Sequence, residues 1–174
     1  MIISISDLLK TVNKEETHVV EIEMSTIKSR LGEYPIREKH PVSLLIKNVE
    51  NKKLQIKGEV KITLDIPCSR CLEIVPTAIE CSIDKELNID NGSAVDEDME
   101  TTDYLIGFNL DVDKLVYAEI LVNWPMKVLC KEDCKGICKV CGTNLNKKEC
   151  GCQRTELDPR MAAIQEVFNK FKEV

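Results

Sequence analysis

Leu54-Gln55-Ile56-Lys57-Gly58-Glu59-Val60-Lys61-Ile62-Thr63-Leu64-Asp65-Ile66 places an apolar residue or glycine at every even position and a polar one at every odd position. A period of two over this length describes one long strand with a dry face and a wet face. The run leads into Pro67-Cys68-Ser69-Arg70-Cys71. Beyond it Ile79, Cys81, Ile83 and Leu87 alternate with Glu80, Ser82, Asp84 and Glu86. The two runs read as antiparallel partners joined by the cysteine turn. Residues 42–49 (VSLLIKNV) suit a third strand, with a turn at Glu50-Asn51-Lys52. Together they form a meander with one buried face, and whether it closes into a barrel stays open.

Upstream, the first fifteen or so residues read as a helical turn, with Ser6-Asp7 capping Leu8-Leu9, and a polar segment. Val20, Ile22 and Met24 alternate with Glu21 and Glu23, which predicts a short strand. Residues 28–41 carry Gly32, Pro35 and Pro41 and read as a loop. Downstream, residues 90–103 hold six acids and no base, which predicts a solvated loop rather than a metal site. Tyr104–Phe108 suits a short strand. Asp111 is placed to N-cap a largely buried helix near 111–123, ending before Pro125. Asp158-Pro159 opens a C-terminal helix, with Met161, Ile164, Val167, Phe168 and Phe171 at helical spacing. It is expected to pack back on the sheet, docking to a partner being the alternative.

The expected fold is therefore α+β: a mainly antiparallel sheet, two packing helices and a small cysteine-rich lobe held by zinc. The sheet domain with its buried helix takes 1–126, the lobe 127–153 and the C-terminal helix 154–174. Residues 127–153 are poor in large apolar side chains, so burial alone cannot hold them together.

The 174 residues include 24 Lys and Arg against 30 Asp and Glu, a net charge of −6. That argues against coating of nucleic acid by bulk charge, while leaving room for a local basic patch. Three Phe, three Tyr and one Trp are too few for a stacking platform on single strands. Met1–Asp7 lacks the basic start and apolar stretch of a signal peptide, and no apolar run nears the ~18 residues of a membrane span. A cytoplasmic setting is expected, with thiols reduced, and nine cysteines then point to metal rather than disulfides.

Cys68-Ser69-Arg70-Cys71 and Cys138-Lys139-Val140-Cys141 have the two-residue spacing that lets a pair of thiolates reach one ion from a tight turn, and Gly142 permits the positive φ such turns use. Cys130, Cys134, Cys150 and Cys152 cluster near the second pair. Eight cysteines suggest two tetrathiolate sites. The preferred pairing sets Cys138, Cys141, Cys150 and Cys152 around one ion and Cys68, Cys71, Cys130 and Cys134 around the other. The latter would staple the sheet to the segment after Pro125. A second pairing joins the two Cys-x-x-Cys turns and leaves Cys130, Cys134, Cys150 and Cys152 together; a third alternative is one occupied site. Zinc is preferred over iron, because the compact cysteine run of ferredoxin clusters is missing. Cys81, on an apolar strand face, reads as a buried inert thiol. His18 and His40 lie far from the cluster and are not assigned as ligands. An all-cysteine site leaves no coordination position for substrate, and there is no phosphate-binding glycine loop, paired His-Glu motif or Gly-x-Ser-x-Gly. No enzymatic activity and no small-molecule substrate are expected.

Pro67-Cys68-Ser69-Arg70-Cys71-Leu72, Pro125-Met126-Lys127-Val128-Leu129-Cys130, the run Cys134 to Asn146 (CKGICKVCGTNLN), Cys150-Gly151-Cys152 and Asp158-Pro159-Arg160 together resemble the YceD family, the large ribosomal RNA subunit accumulation proteins. The resemblance spans roughly residues 50–171. It implies a cytoplasmic protein needed for normal accumulation of large-subunit ribosomal RNA, with no catalytic activity. Family members that keep only the first Cys-x-x-Cys favour treating the later cysteines as a separate site. Residues 127–154 hold seven bases against three acids, a surplus that thiolate–zinc charge would largely consume. Arg70, Lys135, Lys139, Lys147 and Lys148 are the candidate RNA contacts. The alternative is that the lysines balance thiolate charge, and that Arg70 donates to a metal-bound sulfur. Two functional readings follow: a factor contacting precursor ribosomal RNA, or an adaptor holding a basic large-subunit ribosomal protein against its acidic surface.

Overall fold

The computed structural model describes residues 1–30, 32–50, 53–90, 93–96 and 101–152. The chain divides into two compact units. The first comprises Met1–Cys68 and Ile74–Val128; the second comprises Ser69–Glu73 and the chain from Leu129 onward.

The first unit is built on the alternating run. It forms β6 (Lys53–Pro67), paired along its whole length with β7 (Ile74–Asp90) in the register Leu54↔Leu87, Val60↔Cys81 and Ile66↔Val75. The other edge of β6 is shared. β5 (Val42–Glu50) pairs with its first half and β4 (Gly32–Lys39) with its second. The strands β5, β6 and β7 thus form the expected meander. β2 (Glu15–Val20) pairs with β5. β3 (Thr26–Ser29) pairs with β4. Beyond β7 come β8 (Ser93–Asp96), β9 (Thr101–Ile106), β10 (Asn109–Asp111) and β1 (Ile2–Ser4), all antiparallel. Among the described residues the sheet does not close into a barrel.

The dry face behaves as the period requires. Leu54, Ile56, Val60, Ile62 and Leu64 of β6 and Ile79, Cys81, Ile83 and Leu87 of β7 are buried. Each large aliphatic side chain removed from water contributes about 1.5–3 kcal/mol. The helix α2 (Val112–Val122) buries Val112, Leu115, Val116 and Ile120, and its N-cap Asp111 accepts a hydrogen bond from the Lys114 N–H. Burial, and then the negative charge of Glu119, pushes the Cys81 thiol up, so it stays protonated and unreactive.

Gly58 is the one dry-face position of β6 without a side chain. A Cβ there would meet the Ser43 carbonyl oxygen at 2.7 Å and a Leu44 methyl at 2.8 Å. Glycine therefore lets β5 and β6 pair at this point. Gly58→Ala is expected to lower unfolding free energy by about 1–3 kcal/mol through overpacking, read as a reduced denaturant midpoint.

Four expectations need correction. The strand expected at Val20–Met24 lies earlier: β2 ends at Val20, where its pairing with β5 ends opposite Val42, while Ile22 is buried without pairing. Residues 28–41 are not a loop but most of the β3–β4 hairpin. Pro35 stands opposite Thr26, and the register of β4 on β6 shifts between Ile36 and Glu38, an irregularity of the kind that accommodates proline in a strand. The acidic stretch 90–103 contributes β8 and the start of β9, because hairpin pairing such as Leu87↔Asp96 and Ile89↔Ala94 uses backbone groups, not side-chain polarity. Ser6 does not cap α1 (Ser6–Leu9); it is its first residue, after Ile5, and no side chain caps it. The expected C-terminal helix lies outside the described residues. No described helix is long and apolar enough to cross a membrane.

Candidate metal centres

β6 ends at Pro67, and Cys68 follows as the last residue of the first unit's opening segment. Ser69–Glu73 then belongs to the second unit. The turn ends on Leu72 at φ 63°, a conformation that costs a branched side chain about 1–2 kcal/mol. The later Cys-x-x-Cys turn ends on Gly142 at φ 72°, where glycine takes it without strain. Both knuckles close on a residue of positive φ, and each supplies two sulfurs to one group. After Cys134, Gly136 (φ 77°) makes a third such bend. A Cβ on Gly136 would stand 3.1 Å from the Arg70 carbonyl oxygen, so the two loops abut through backbone.

These turns gather the sulfurs into two groups. Cys68, Cys71, Cys130 and Cys134 form one, and Cys138, Cys141, Cys150 and Cys152 the other; within each the Sγ atoms all lie within 4.8 Å of one another. None of the nine cysteines is in a disulfide. Four sulfurs at 2.3 Å from a tetrahedral zinc stand about 3.8 Å apart, so each group has the dimensions of a tetrathiolate site. The Cys71–Cys130 separation is 3.4 Å.

The proton chemistry of the second group shows why it suits a cation. Hydrogen bonds from the Thr143 hydroxyl and backbone N–H, and then from Cys152 and Cys138, bring the Cys141 thiol down to about 6. Hydrogen bonding with Cys141, burial and hydrogen bonding with Cys150 push Cys152 up to about 12. One thiolate forms and holds its neighbour's proton, since adjacent anions repel. A divalent ion held there would remove that conflict and let all four ionise. In the first group, burial pushes Cys134 up. Hydrogen bonds from Asn146, the Gly136 N–H, Cys130 and Cys71 outweigh it and hold the thiol below its ordinary value.

Surrounding side chains brace the first group. Asn146 donates through Nδ2 to the Cys134 sulfur at 3.2 Å and accepts from the Lys135 N–H at 2.9 Å. The Arg70 guanidinium donates to the carbonyls of Cys134 (2.9 Å) and Glu132 (3.4 Å), so it holds backbone rather than sulfur. Lys147 pairs with Glu73 and holds its carboxyl below the usual range. Of the candidate RNA contacts, Arg70 and Lys147 are thus engaged within the lobe. Lys135, Lys139 and Lys148 are exposed and have no ion-pair partner among the described residues. Thr143 and Asn146 lie within the quoted run Cys134 to Asn146 but carry no role in the sequence reading, and Glu73 is absent from it; no spacing pattern marks any of the three as a bracing residue. Gly136 had a visible signal, a glycine just after a cysteine as in Cys141-Gly142. Asn146→Ala is expected to weaken metal affinity about ten- to a hundredfold, read by competition with a zinc indicator.

A family model described as "Large ribosomal RNA subunit accumulation protein YceD" matches residues 56–168. The chain belongs to the YceD family. Both sulfur groups lie inside the matched span. The chain is 28% identical over 140 residues to "Large ribosomal RNA subunit accumulation protein YCED homolog 1, chloroplastic" of Arabidopsis thaliana, covering 63% of this chain and 42% of that one. It is 30% identical over 129 residues to the uncharacterized protein YlbN of Bacillus subtilis, covering 72% and 73%. An uncharacterized Mycobacterium tuberculosis protein is 28% identical over 103 residues, covering 58% and 49%. The chain thus spans under half of the Arabidopsis and mycobacterial relatives. No solved structure matches it.

Proposed function

We propose that this YceD-family chain is a non-enzymatic, cytoplasmic zinc protein that supports accumulation of large-subunit ribosomal RNA by contact with precursor RNA. Zinc would occupy both groups, held by Cys68, Cys71, Cys130 and Cys134 and by Cys138, Cys141, Cys150 and Cys152. Closed tetrathiolate sites are structural and offer substrate no coordination position. The observation that carries the RNA reading is the placement of exposed Lys135, Lys139 and Lys148 on the loops that bear the sulfurs. Rigid loops hold such charges ready for phosphate without aromatic stacking.

The test is binding of the zinc-loaded full chain to transcribed large-subunit precursor RNA across a salt series. Three phosphate contacts give a slope of about −2 to −3 in log affinity against log salt. Replacing all three lysines with Glu is expected to abolish binding while leaving the zinc content unchanged. No binding at low salt overturns RNA contact.

One observation favours the adaptor reading. Each tetrathiolate zinc carries −2, so two loaded sites take the chain from −6 to about −10. That charge attracts a basic ribosomal protein. Co-purification of such a protein after nuclease treatment would select this reading.

A further inference from the structure

We infer that the two metal sites differ in kind: the Cys68–Cys71–Cys130–Cys134 site keeps its ion, and the Cys138–Cys141–Cys150–Cys152 site exchanges its ion with chelating nitrogen or thiolate ligands in solution. This rests on the zinc reading above. In the first group Cys68, Cys71 and Cys134 are buried, at 0%, 5% and 3% exposure, and Cys130 is half-buried. In the second only Cys138 is buried; Cys150 and Cys152 are half-buried and Cys141 is exposed. The flanks differ in the same sense. A Cβ on Gly136, beside the first group, would press on the Arg70 backbone, whereas Gly142 and Gly151, within the second, would meet nothing within 4 Å.

Exchange at a four-coordinate thiolate site starts when an incoming donor reaches the metal. One zinc–sulfur bond then gives way to a zinc–ligand bond, and the released thiolate takes a proton from water or the incoming acid. No electron changes hands. Open space beside Cys141 admits the incoming donor; the packed loops around Cys134 exclude it. The cost of opening differs too. The second group's ligands fall within 15 residues, so releasing them disturbs one short segment. The first group's two halves are 59 residues apart in sequence, from Cys71 to Cys130, and are tied by Arg70, whose guanidinium donates to the Cys134 and Glu132 carbonyls. When zinc is scarce the chain would pass through a one-ion form with the first site loaded.

The experiment uses the full chain loaded with zinc, an excess of the chelating dye 4-(2-pyridylazo)resorcinol, and N-ethylmaleimide to trap liberated thiols for peptide mapping. Two phases of one ion each are expected, their rates about ten- to a hundredfold apart. Label is expected on Cys138, Cys141, Cys150 and Cys152 in the fast phase and on Cys68, Cys71, Cys130 and Cys134 in the slow one. A single phase, or fast labelling of the first group, overturns the inference while leaving the two-zinc reading intact. A chain that cannot be loaded with two zinc ions overturns that reading, and the inference with it.

Discussion

Complete removal of zinc is expected to expose the amides of residues 129–152 to exchange at unfolded-chain rates, while those of β6 and β7 keep their protection. The segment has little else to hold it. Among its described residues only Cys134, Gly136 and Cys138 are buried; of its large aliphatic side chains Ile137 and Val140 are exposed and Leu129 and Leu145 only half-buried. Its backbone bonds, such as Cys138 N–H to Thr143 O and Leu145 N–H to Gly136 O, are turn contacts that do not propagate. Structural zinc contributes on the order of 10–16 kcal/mol in small peptides, which exceeds what such contacts supply. The sheet unit has its own buried core, so its stability does not require the metal. Hydrogen exchange with mass-spectrometric readout, before and after chelation, checks both halves. Unchanged protection of 129–152 in the metal-free chain would remove the structural role of the ions.

Lys85→Met is expected to destabilise the sheet unit by about 3 kcal/mol, at the low end of the cost of orphaning a buried charge. Lys85 lies on the dry face of β7, in phase with Ile83 and Leu87, and reaches Glu119 of α2 at 3.0 Å. The Glu119 side chain is 6% exposed and that of Lys85 29%. Removing the lysine leaves the carboxylate buried without its cation. Lys85→Met combined with Glu119→Leu is expected to recover most of the loss, because two apolar side chains suit that interface. Urea unfolding of both single variants and the double variant gives the coupling energy. A double variant as unstable as the worse single would show that the pair does not act as a unit.

The same lysine shows what sequence reading takes in and what it passes over. Period two identified β6 and β7 because both are long and one-sided, and Lys85 was simply left out of the alternation. Its presence among Ile79, Cys81, Ile83 and Leu87 was itself the sign of a buried partner, but that partner sits on α2, far along the chain. The β3–β4 hairpin was missed for a related reason. Gly32 and Pro35 speak locally for a loop, whereas pairing of Ile36 with Leu64 is decided by a strand that comes later. The cysteine turns were legible from spacing because spacing is local chemistry. Their division into groups depends on bringing Cys68 and Cys71 to Cys130 and Cys134, and the bracing by Asn146 and Glu73 leaves no periodic trace.

The discontinuity of the first sulfur group also sets a timetable. A ribosome making this chain at about 5–20 residues per second releases Cys130 some 3–12 s after Cys71. Through that interval the Cys68–Cys71 knuckle exists with half its ligands unmade. The second group's cysteines follow within the next 22 residues. Six thiols therefore arrive almost together beside a waiting pair, and Cys138–Cys141, with the same spacing, competes with Cys130 and Cys134 for it. Under the two-zinc reading, correct loading would therefore depend on the order of synthesis as well as on affinity in the finished chain.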